Sequence, residues 1–362
     1  MNKIKSCYIH IPFCSNICSY CDFCKFYYQD ALVDEYLDIL LREINDRYKG
    51  ELLETIYIGG GTPSALNINQ LEKLFNGLNN LNVVSDLEFT VECNILDLTD
   101  DKLSFFKEHG VNRLSIGVQS FDFEILKFLE RDYDEEIIKE KINLAKKYFS
   151  NINIDLIYAV PGETIEILKK DLELFLSLGI THISTYSLMI EDHTKLAIKG
   201  VLPISEELDK KMYDIICTTL TDYGFNHYEI SNYALNGYES KHNLTYWKNE
   251  EYYGFGIGAS GYIDSIRYTN TKNIKKYLGG NYIQEEELVT SIIDASNYAI
   301  LGLRTINGVN KKNFIDKFGV DFIKYFDIQN LISENIILET DVSYYLNPEY
   351  WYISNEILVK FV

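Results

Sequence analysis

The sequence has 362 residues, of which 46% are hydrophobic, and a formal net charge of -20 at pH 7. This length suits one large α/β domain with a smaller appendage. The acidic balance argues against nonspecific nucleic-acid binding, because a phosphate backbone is held by clustered lysines and arginines. No run of about 18 apolar residues occurs, and residues 1–7 lack the apolar core of a signal peptide. We therefore expect a cytoplasmic protein.

Up to about residue 223, short apolar and β-branched runs alternate with amphipathic helical stretches. This alternation is typical of βα units around a parallel sheet. The predicted strands are Cys7–Ile11, Thr55–Ile58, Leu87–Val91, Arg113–Val118, Asn153–Tyr158 and His182–Leu188. The predicted helices are Val33–Tyr48, Ile68–Leu78, Thr99–Glu108, Phe123–Leu129, Glu135–Tyr148, Ile165–Leu178 and Glu206–Tyr223. Six strands predict a partial (β/α)6 barrel, since a closed TIM barrel has eight and binds ligands at the strands' carboxyl ends.

The βα alternation stops after about Gly261. Residues 294–362 are predicted to form helices followed by two strands, Ile336–Leu346 and Tyr350–Ile357, as in a small winged-helix-like domain. We accordingly predict a barrel core at residues 1–230, a connecting segment at 231–290 and a C-terminal domain at 291–362.

Four of the seven cysteines lie between Cys14 and Cys24, which is unlike a disulfide scaffold and indicates metal binding. Cys14, Cys18 and Cys21 share one short loop after the first strand. Thiolates are the usual protein ligands of iron-sulfur clusters. Zinc is the alternative, but structural zinc sites use four protein ligands, commonly in two pairs, and no second pair follows.

Polar and glycine-rich positions follow the next predicted strands. The run Gly59-Gly60-Gly61-Thr62-Pro63 ends the second strand, where glycines let backbone groups approach a ligand. Glu92, Gln119, Arg131 and Asp155 lie at or near the ends of strands three to five. The glycine run could simply form a tight turn, and each polar residue could be a helix cap or part of a surface ion pair. Together, however, they favour a binding site at the carboxyl edge of the sheet.

The cysteine spacing, with Tyr20 before the third cysteine, resembles the signature of the radical S-adenosylmethionine superfamily. The resemblance implies a 4Fe-4S cluster held by Cys14, Cys18 and Cys21. It also implies an open iron that chelates S-adenosylmethionine, whose sulfonium bond is broken to give a 5'-deoxyadenosyl radical. Cys24 would then be an auxiliary thiol, because a fourth thiolate would block the open position.

Within that superfamily the chain resembles the oxygen-independent coproporphyrinogen III oxidase-like family over nearly its whole length. The matching segments are Tyr8–Cys14, Gly59–Pro63, Gly117–Phe121, Asp155–Gly162, Tyr228–Asn232 and His242–Trp247, and residues 291–362 are similar to that family's C-terminal domain. The resemblance implies that the S-adenosylmethionine pocket is lined by Tyr8, Gly61, Thr62, Glu92, Gln119, Arg131, Asp155 and Ile157.

The family contains both haem chaperones and coproporphyrinogen III dehydrogenases. The dehydrogenases carry an N-terminal extension and a further cysteine two positions after the third one, where this sequence has Phe23. His242–Trp247 resembles the HNxxYW haem motif of the chaperones, which implies haem binding through His242, imidazole being a common axial ligand. We therefore expect a haem chaperone, with the dehydrogenase as the alternative and a tetrapyrrole methylase as a third reading.

Two positions depart from the family pattern: Ile95 replaces a proline, and Ser260 stands where a histidine is frequent, which leaves His242 more isolated. The expected partners are haem and haem-acceptor proteins, among them membrane respiratory proteins, with peripheral membrane contact. No catalytic residue is assigned. The residues leave open whether S-adenosylmethionine is turned over and whether the chain forms a homodimer.

Overall fold

A computed structural model describes residues 4–362, and strands and helices alternate through the first half of that range. The strands are β1 Ser6–Ile11, β2 Phe13–Cys14, β3 Phe26–Tyr27, β4 Leu53–Gly60, β5 Val83–Asn94, β6 Arg113–Gln119, β7 Asn151–Tyr158, β8 His182–Ser187, β9 Asn226–Glu229, β10 Asn232–Ala234, β11 Tyr252–Phe255, β12 Ser260–Ile263, β13 Ile266–Asn270, β14 Ile283–Leu288, β15 Val309–Asn310, β16 Ile337–Glu339 and β17 Ser343–Leu346.

The helices are α1 Asp30–Arg47, α2 Ile68–Leu78, α3 Asp100–Glu108, α4 Phe123–Phe128, α5 Glu135–Ala145, α6 Ile165–Ser177, α7 Lys195–Ile198, α8 Glu206–Asp222, α9 Lys241–Trp247, α10 Ile274–Leu278, α11 Ser291–Gly302, α12 Lys311–Phe318, α13 Phe322–Tyr325, α14 Gln329–Ser333 and α15 Ser354–Leu358. Most of the helices begin at a polar residue whose side chain caps the first turn, and α1, α14 and α15 are the exceptions. Asn67 caps α2 in a reciprocal capping box with Gln70, and Thr99 and Ser205 cap α3 and α8.

A parallel sheet forms the centre of the fold, as predicted. Strands β1, β4, β5, β6, β7 and β8 run parallel in that spatial order, and each overlaps one of the six predicted strands. The α/β fold class is therefore confirmed. The carboxyl ends of these strands meet on one side of the sheet, where the cysteine loop between β2 and β3 also lies.

The sheet extends further than the sequence predicted. β11 pairs in parallel with the free edge of β1, and β12, β13 and β14 continue from it in antiparallel register. On the opposite edge, the antiparallel strands β10 and β9 follow β8, so the whole sheet has 12 strands. These additional strands are short and follow one another without the intervening long helices that made the first six recognisable.

The C-terminal part has its own buried core. This core contains Leu303, Phe314, Leu346 and Trp351 and lies within residues 295–361, whereas the barrel core lies within residues 4–277. β15, β17 and β16 form a small three-stranded sheet beside the helices. The boundaries predicted for the three domains stay a prediction.

One predicted strand of the C-terminal part is wrong. In place of a strand over residues 350–357, the chain forms a 3-10 turn, Pro348–Tyr350, and then α15, Ser354–Leu358. The Asn347 side chain accepts a hydrogen bond from the Glu349 amide, and Pro348 supplies a backbone angle suited to a helical start. Local capping therefore outweighed the aromatic and β-branched composition of the segment. Within residues 4–362, none of the helices combines the length and apolar character needed to cross a bilayer.

Candidate cofactor site

A cavity of about 430 Å³ opens at the carboxyl ends of the parallel strands. Its lining contains ten of the twelve residues predicted from the sequence to bind a cluster, cofactor or haem, namely Cys14, Cys18, Cys21, Gly61, Thr62, Glu92, Gln119, Arg131, Asp155 and Ile157. Tyr8 and His242 are the two that do not line it. The fold thus brings into one place side chains that are up to 143 positions apart in sequence, from Cys14 to Ile157.

The cysteine loop packs against the glycine run after β4. Thr62 Oγ1 donates a hydrogen bond to Cys14 Sγ at 3.4 Å. A Cβ atom on Gly61 would lie 2.7 Å from the Pro12 carbonyl carbon and 3.0 Å from Cys14 Sγ. Only glycine therefore allows the two loops to approach this closely.

The three thiols are not arranged around a single point. Among residues 4–362, no three His, Cys, Asp or Glu side chains converge closely enough to hold one metal ion. A mononuclear zinc site requires such convergence. A cluster does not, because each thiolate binds a different iron atom.

Glu92 connects the cavity to the strands beneath it. Its Oε1 accepts a hydrogen bond from the Tyr57 hydroxyl at 2.8 Å, and its Oε2 accepts one from the Gly60 amide at 2.9 Å. Burial raises the pKa of Glu92 to about 7, although both hydrogen bonds oppose that rise. The carboxylate is thus held in place at the wall, where it can accept a hydrogen bond from a ligand hydroxyl or amine.

Two arginines, Arg113 buried and Arg131 partly buried, supply positive charge to the cavity. Arg131 donates from Nη2 to the Tyr20 hydroxyl at 2.8 Å, and Arg113 is 1% exposed. The Nε atoms of both side chains have no hydrogen-bond partner among the described residues. Buried donors are normally satisfied, so these guanidinium groups fit an anionic ligand group such as the carboxylate of S-adenosylmethionine.

Asp155 and Gln119 complete the polar wall. The Asn153 side-chain amide donates to Asp155 Oδ1 at 2.8 Å, and burial raises the pKa of the Asp155 carboxyl. Gln119 adopts a left-handed backbone conformation with φ of 73°. Such a conformation is uncommon outside glycine and is frequent at binding sites, and here it coincides with the end of β6.

Tyr8 lies beside the cavity and not in its wall. Its hydroxyl is 2.9 Å from His10 Nδ1, while His10 Nε2 is 2.8 Å from the Cys24 carbonyl oxygen. His10 therefore connects β1 to the end of the cysteine loop. This arrangement gives His10 a structural role beside the cysteine loop.

His242 is enclosed in the structure. It is 1% exposed, its Nδ1 is 2.7 Å from Thr55 Oγ1, and its Nε2 is 2.7 Å from the Tyr246 hydroxyl. Burial lowers the pKa of the imidazole to about 3, so the ring is neutral. A neutral imidazole can bind iron, but both of its nitrogens are hydrogen-bonded in this conformation. Haem ligation by His242 stays a prediction.

The cavity also contains polar residues that the sequence did not indicate. Tyr57, Arg113, Asn153 and Asn243 all contribute to its lining. Tyr57 and Asn153 lie within strands and looked like ordinary sheet positions, and Arg113 begins β6, far from the expected carboxyl end. Asn243 was visible as the second residue of the HNxxYW motif, but it was assigned no role beside the cysteines.

Comparisons with known proteins agree with this geometry. The family model described as the Radical SAM superfamily matches residues 8–175. The chain is 40% identical to the heme chaperone HemW of Lactococcus lactis subsp. lactis (strain IL1403), across 100% of this chain and 98% of that one. It is also 40% identical to the heme chaperone HemW of Bacillus subtilis (strain 168), across 99% of both chains.

Among solved structures, the fold is similar to that of coproporphyrinogen III oxidase (HemN) from Escherichia coli, described as a radical SAM enzyme. The TM-score is 0.86, and the alignment covers 99% of this chain and 90% of that chain. Sequence identity is 23%, so this likeness concerns the fold.

Proposed function

Because this chain belongs to the HemW family of haem chaperones within the radical SAM superfamily, we propose that it binds haem and transfers it to acceptor proteins. The supporting observation is the 40% identity to two such chaperones over essentially the entire chain. A similarity of that extent includes the C-terminal part and α9, and not the barrel alone. Fold similarity by itself would leave the function open.

The proposed resident cofactors are a 4Fe-4S cluster and S-adenosylmethionine. Cys14, Cys18 and Cys21 are the proposed cluster ligands, and the close packing of Gly61 against Cys14 supports a cluster seated between the two loops. When bound, the two groups together supply reductive cleavage of the sulfonium, the chemistry that defines the superfamily.

The remaining cavity residues are proposed to hold S-adenosylmethionine. Glu92 and Asp155 offer partly buried carboxylates for hydroxyl or amine groups, and Arg131 offers a planar donor fork for a carboxylate. Gly61, Thr62, Gln119 and Ile157 shape the wall, and Tyr8 supports the cluster loop from beside the cavity. The unpartnered Nε of Arg131 supports this assignment.

Haem is proposed to bind at α9 through His242. Since both imidazole nitrogens are hydrogen-bonded, to Thr55 and Tyr246, haem binding requires His242 to leave at least one of these partners. The proposal therefore includes a local rearrangement of α9 on haem binding. A rigid α9 would be incompatible with ligation by this residue.

The wider cellular role follows from the same proposal. We propose a cytoplasmic protein that delivers haem to acceptors, membrane respiratory proteins among them, through peripheral contact or as a homodimer. We also propose the division into a barrel core at 1–230, a connecting segment carrying the haem motif at 231–290 and a C-terminal domain at 291–362.

Anaerobic reconstitution followed by a haem titration tests the proposed function. The wild-type protein is expected to bind haem with a saturable shift of the haem absorbance, and His242→Gln, which retains one hydrogen-bonding group in the pocket, is expected to lose the imidazole-ligated spectrum. Circular dichroism checks that the variant is folded. Unchanged spectra in the variant would refute ligation by His242.

A second assay separates the chaperone from the dehydrogenase. Reduced, reconstituted protein is incubated with coproporphyrinogen III and S-adenosylmethionine, and the products are separated by chromatography. No protoporphyrinogen IX is expected. Its appearance at a rate above that of a Cys14→Ser control would overturn the chaperone assignment.

A further inference from the structure

The helix that carries the haem motif is fixed to a strand of the cofactor site. Ser240 caps α9, and the backbone amides of Lys241 and His242 donate to the Glu88 carboxylate, each at 2.9 Å. Glu88 is 6% exposed and lies on β5, four residues before Glu92. A displacement of the first turn of α9 therefore disturbs the strand that positions Glu92.

A second connection runs through side chains. The His242 ring stacks on the Tyr57 ring, with centroids 5.1 Å apart and an interplanar angle of 28°. The Tyr57 hydroxyl donates to Glu92, and Glu92 accepts from the Gly60 amide. Only Tyr57 separates the proposed haem ligand from a carboxylate of the cofactor cavity.

The next residue of the motif reaches the cavity itself. Asn243 lines the cofactor cavity, whereas His242 points into the barrel wall against Thr55. Consecutive helical residues point about 100° apart, since a helix has about 3.6 residues per turn. One turn of α9 therefore serves two sites, and both residues must move if that turn moves.

We propose that α9 is shared between cofactor and haem, with Asn243 and Tyr57 as positioning residues of the cofactor cavity. S-adenosylmethionine and haem then oppose each other's binding. The inference rests on the proposed function, because it needs haem to bind through His242.

The sign follows from which contacts each ligand requires. S-adenosylmethionine uses Glu92 and Asn243 as the structure places them, and so stabilises the arrangement in which His242 is enclosed. Haem would require His242 to leave Thr55 or Tyr246, and a movement of the ring away from Tyr57 would carry the first turn of α9, with Asn243, away from the cavity. A ligand shifts an equilibrium only by its differential affinity for the two states, and the two ligands here favour different states.

Haem titrations of the reconstituted protein with and without saturating S-adenosylmethionine test the coupling. We expect the haem dissociation constant to rise about fivefold or more when the cofactor is present, within the usual range of allosteric coupling. Because coupling is reciprocal, saturating haem should weaken cofactor binding, measured by equilibrium dialysis, by the same factor. Equal or tighter haem binding in the presence of cofactor would overturn the inference.

Two Tyr→Phe variants test the route. Tyr57→Phe retains the ring that stacks on His242 but removes the hydroxyl that donates to Glu92, so the ratio of the two haem dissociation constants should fall toward one. Tyr282→Phe, a partly buried tyrosine packed on the barrel core away from the cavity, is the matched control and should retain the wild-type ratio. A wild-type ratio in Tyr57→Phe would exclude this route.

The outcomes distinguish this inference from the proposed function. Absence of haem binding in every titration would refute the proposed function and the inference together. Measurable haem binding with identical affinity in both titrations would refute the inference alone.

Discussion

Cys14, Cys18 and Cys21 do not share an environment with the other cysteines. Cys14 is buried beside Gly61 and Thr62, whereas Cys217 lies on α8 with its Sγ 3.0 Å from the Tyr233 hydroxyl. The Cys217 thiol therefore contacts a tyrosine hydroxyl and does not line the cofactor cavity. The chemistry of one residue type thus depends on which loop or helix presents it.

Removing one proposed cluster ligand gives the first prediction. Cys14→Ser should abolish the charge-transfer absorbance and most of the bound iron after reconstitution, because a hydroxyl is a poor ligand for iron in a cluster. Absorbance spectra and iron analysis measure this. Cys217→Ser is the control and should reconstitute like the wild type, whereas retention of a full cluster in Cys14→Ser would contradict the ligand assignment.

The loop after β7 contains a buried glutamate, Glu163, whose carboxyl pKa is raised. Glu163 is 5% exposed and accepts from the Val160 amide at 3.0 Å, and burial raises the pKa of its carboxyl from 4.5 to about 8. The unfolded chain therefore ionises Glu163 at lower pH than the folded protein does. Folding stability is highest below pH 4.5 with respect to this group and falls as the pH rises toward 8.

Glu163→Gln should remove that loss of stability. The variant keeps an oxygen for the Val160 amide, so its stability relative to the wild type should increase from pH 4.5 to 8 by on the order of 1–3 kcal/mol. Urea unfolding at several pH values measures it. Glu173→Gln removes an exposed carboxylate from α6 and controls for net charge; a constant difference between Glu163→Gln and the wild type across this pH range would contradict the prediction.

At the scale of elements, α1 attaches the additional strands to the barrel. Glu43 on α1 is fully buried and accepts from the Tyr277 hydroxyl at 2.6 Å, the Gly256 amide at 2.9 Å and the Asn270 side chain at 2.7 Å. Arg47 forms an ion pair with it. A buried carboxylate is tolerated only when it is paired and hydrogen-bonded, and here the donors come from β13, α10 and the segment after β11.

Tyr277→Phe should weaken this attachment. It removes one hydrogen bond to a buried carboxylate and leaves the ring in the core, so the free energy of unfolding should fall by about 1.5–3 kcal/mol. Hydrogen exchange should increase in β12–β14 before it increases in β4–β7. Tyr223→Phe, at an exposed tyrosine after α8, is the control, and a uniform increase across all strands would show that Glu43 does not act locally.

At the scale of the whole molecule, two separate buried cores lie side by side, and Tyr213 packs against both. Trp351 is 1% exposed and donates from Nε1 to the Leu346 carbonyl at 3.1 Å. Its ring packs edge-on against the His227 ring of the barrel, with the ring centroids 4.4 Å apart. An isolated bridge between Glu229 and Thr305 also joins the parts. Two distinct cores can unfold in separate transitions when each is stabilised mainly by its own packing.

Trp351→Ala should therefore destabilise the C-terminal core selectively. The loss of a large buried aromatic side chain is expected to lower its stability by about 3–5 kcal/mol and to produce a first unfolding transition confined to residues 295–361. Calorimetry and limited proteolysis measure it, with the cluster absorbance as a probe of the barrel. A single cooperative transition with simultaneous loss of cluster absorbance would contradict two independent cores.

Local patterns in the sequence determined the parallel strands, most helices and the cysteine loop. Each is encoded in a short window: periodic apolar residues define β1 or α2, and Cys14 to Cys21 are neighbours in the chain. Gly61, Glu92, Gln119, Arg131 and Asp155 were recognisable because strand ends in a parallel sheet meet on one side. The strand predicted over residues 350–357 failed because capping at Asn347 and Pro348 favoured a helical turn.

Only the tertiary structure decided which residues share a site and which are enclosed. Arg113 and Asn153 line the cavity although both lie toward the start of their strands, and no local pattern encodes this. β11 joined β1 through pairing between residues more than 240 positions apart. The HNxxYW motif indicated an imidazole for haem, but burial of that imidazole against Thr55, Tyr57 and Tyr246 depends on long-range packing, which leaves both of its nitrogens hydrogen-bonded.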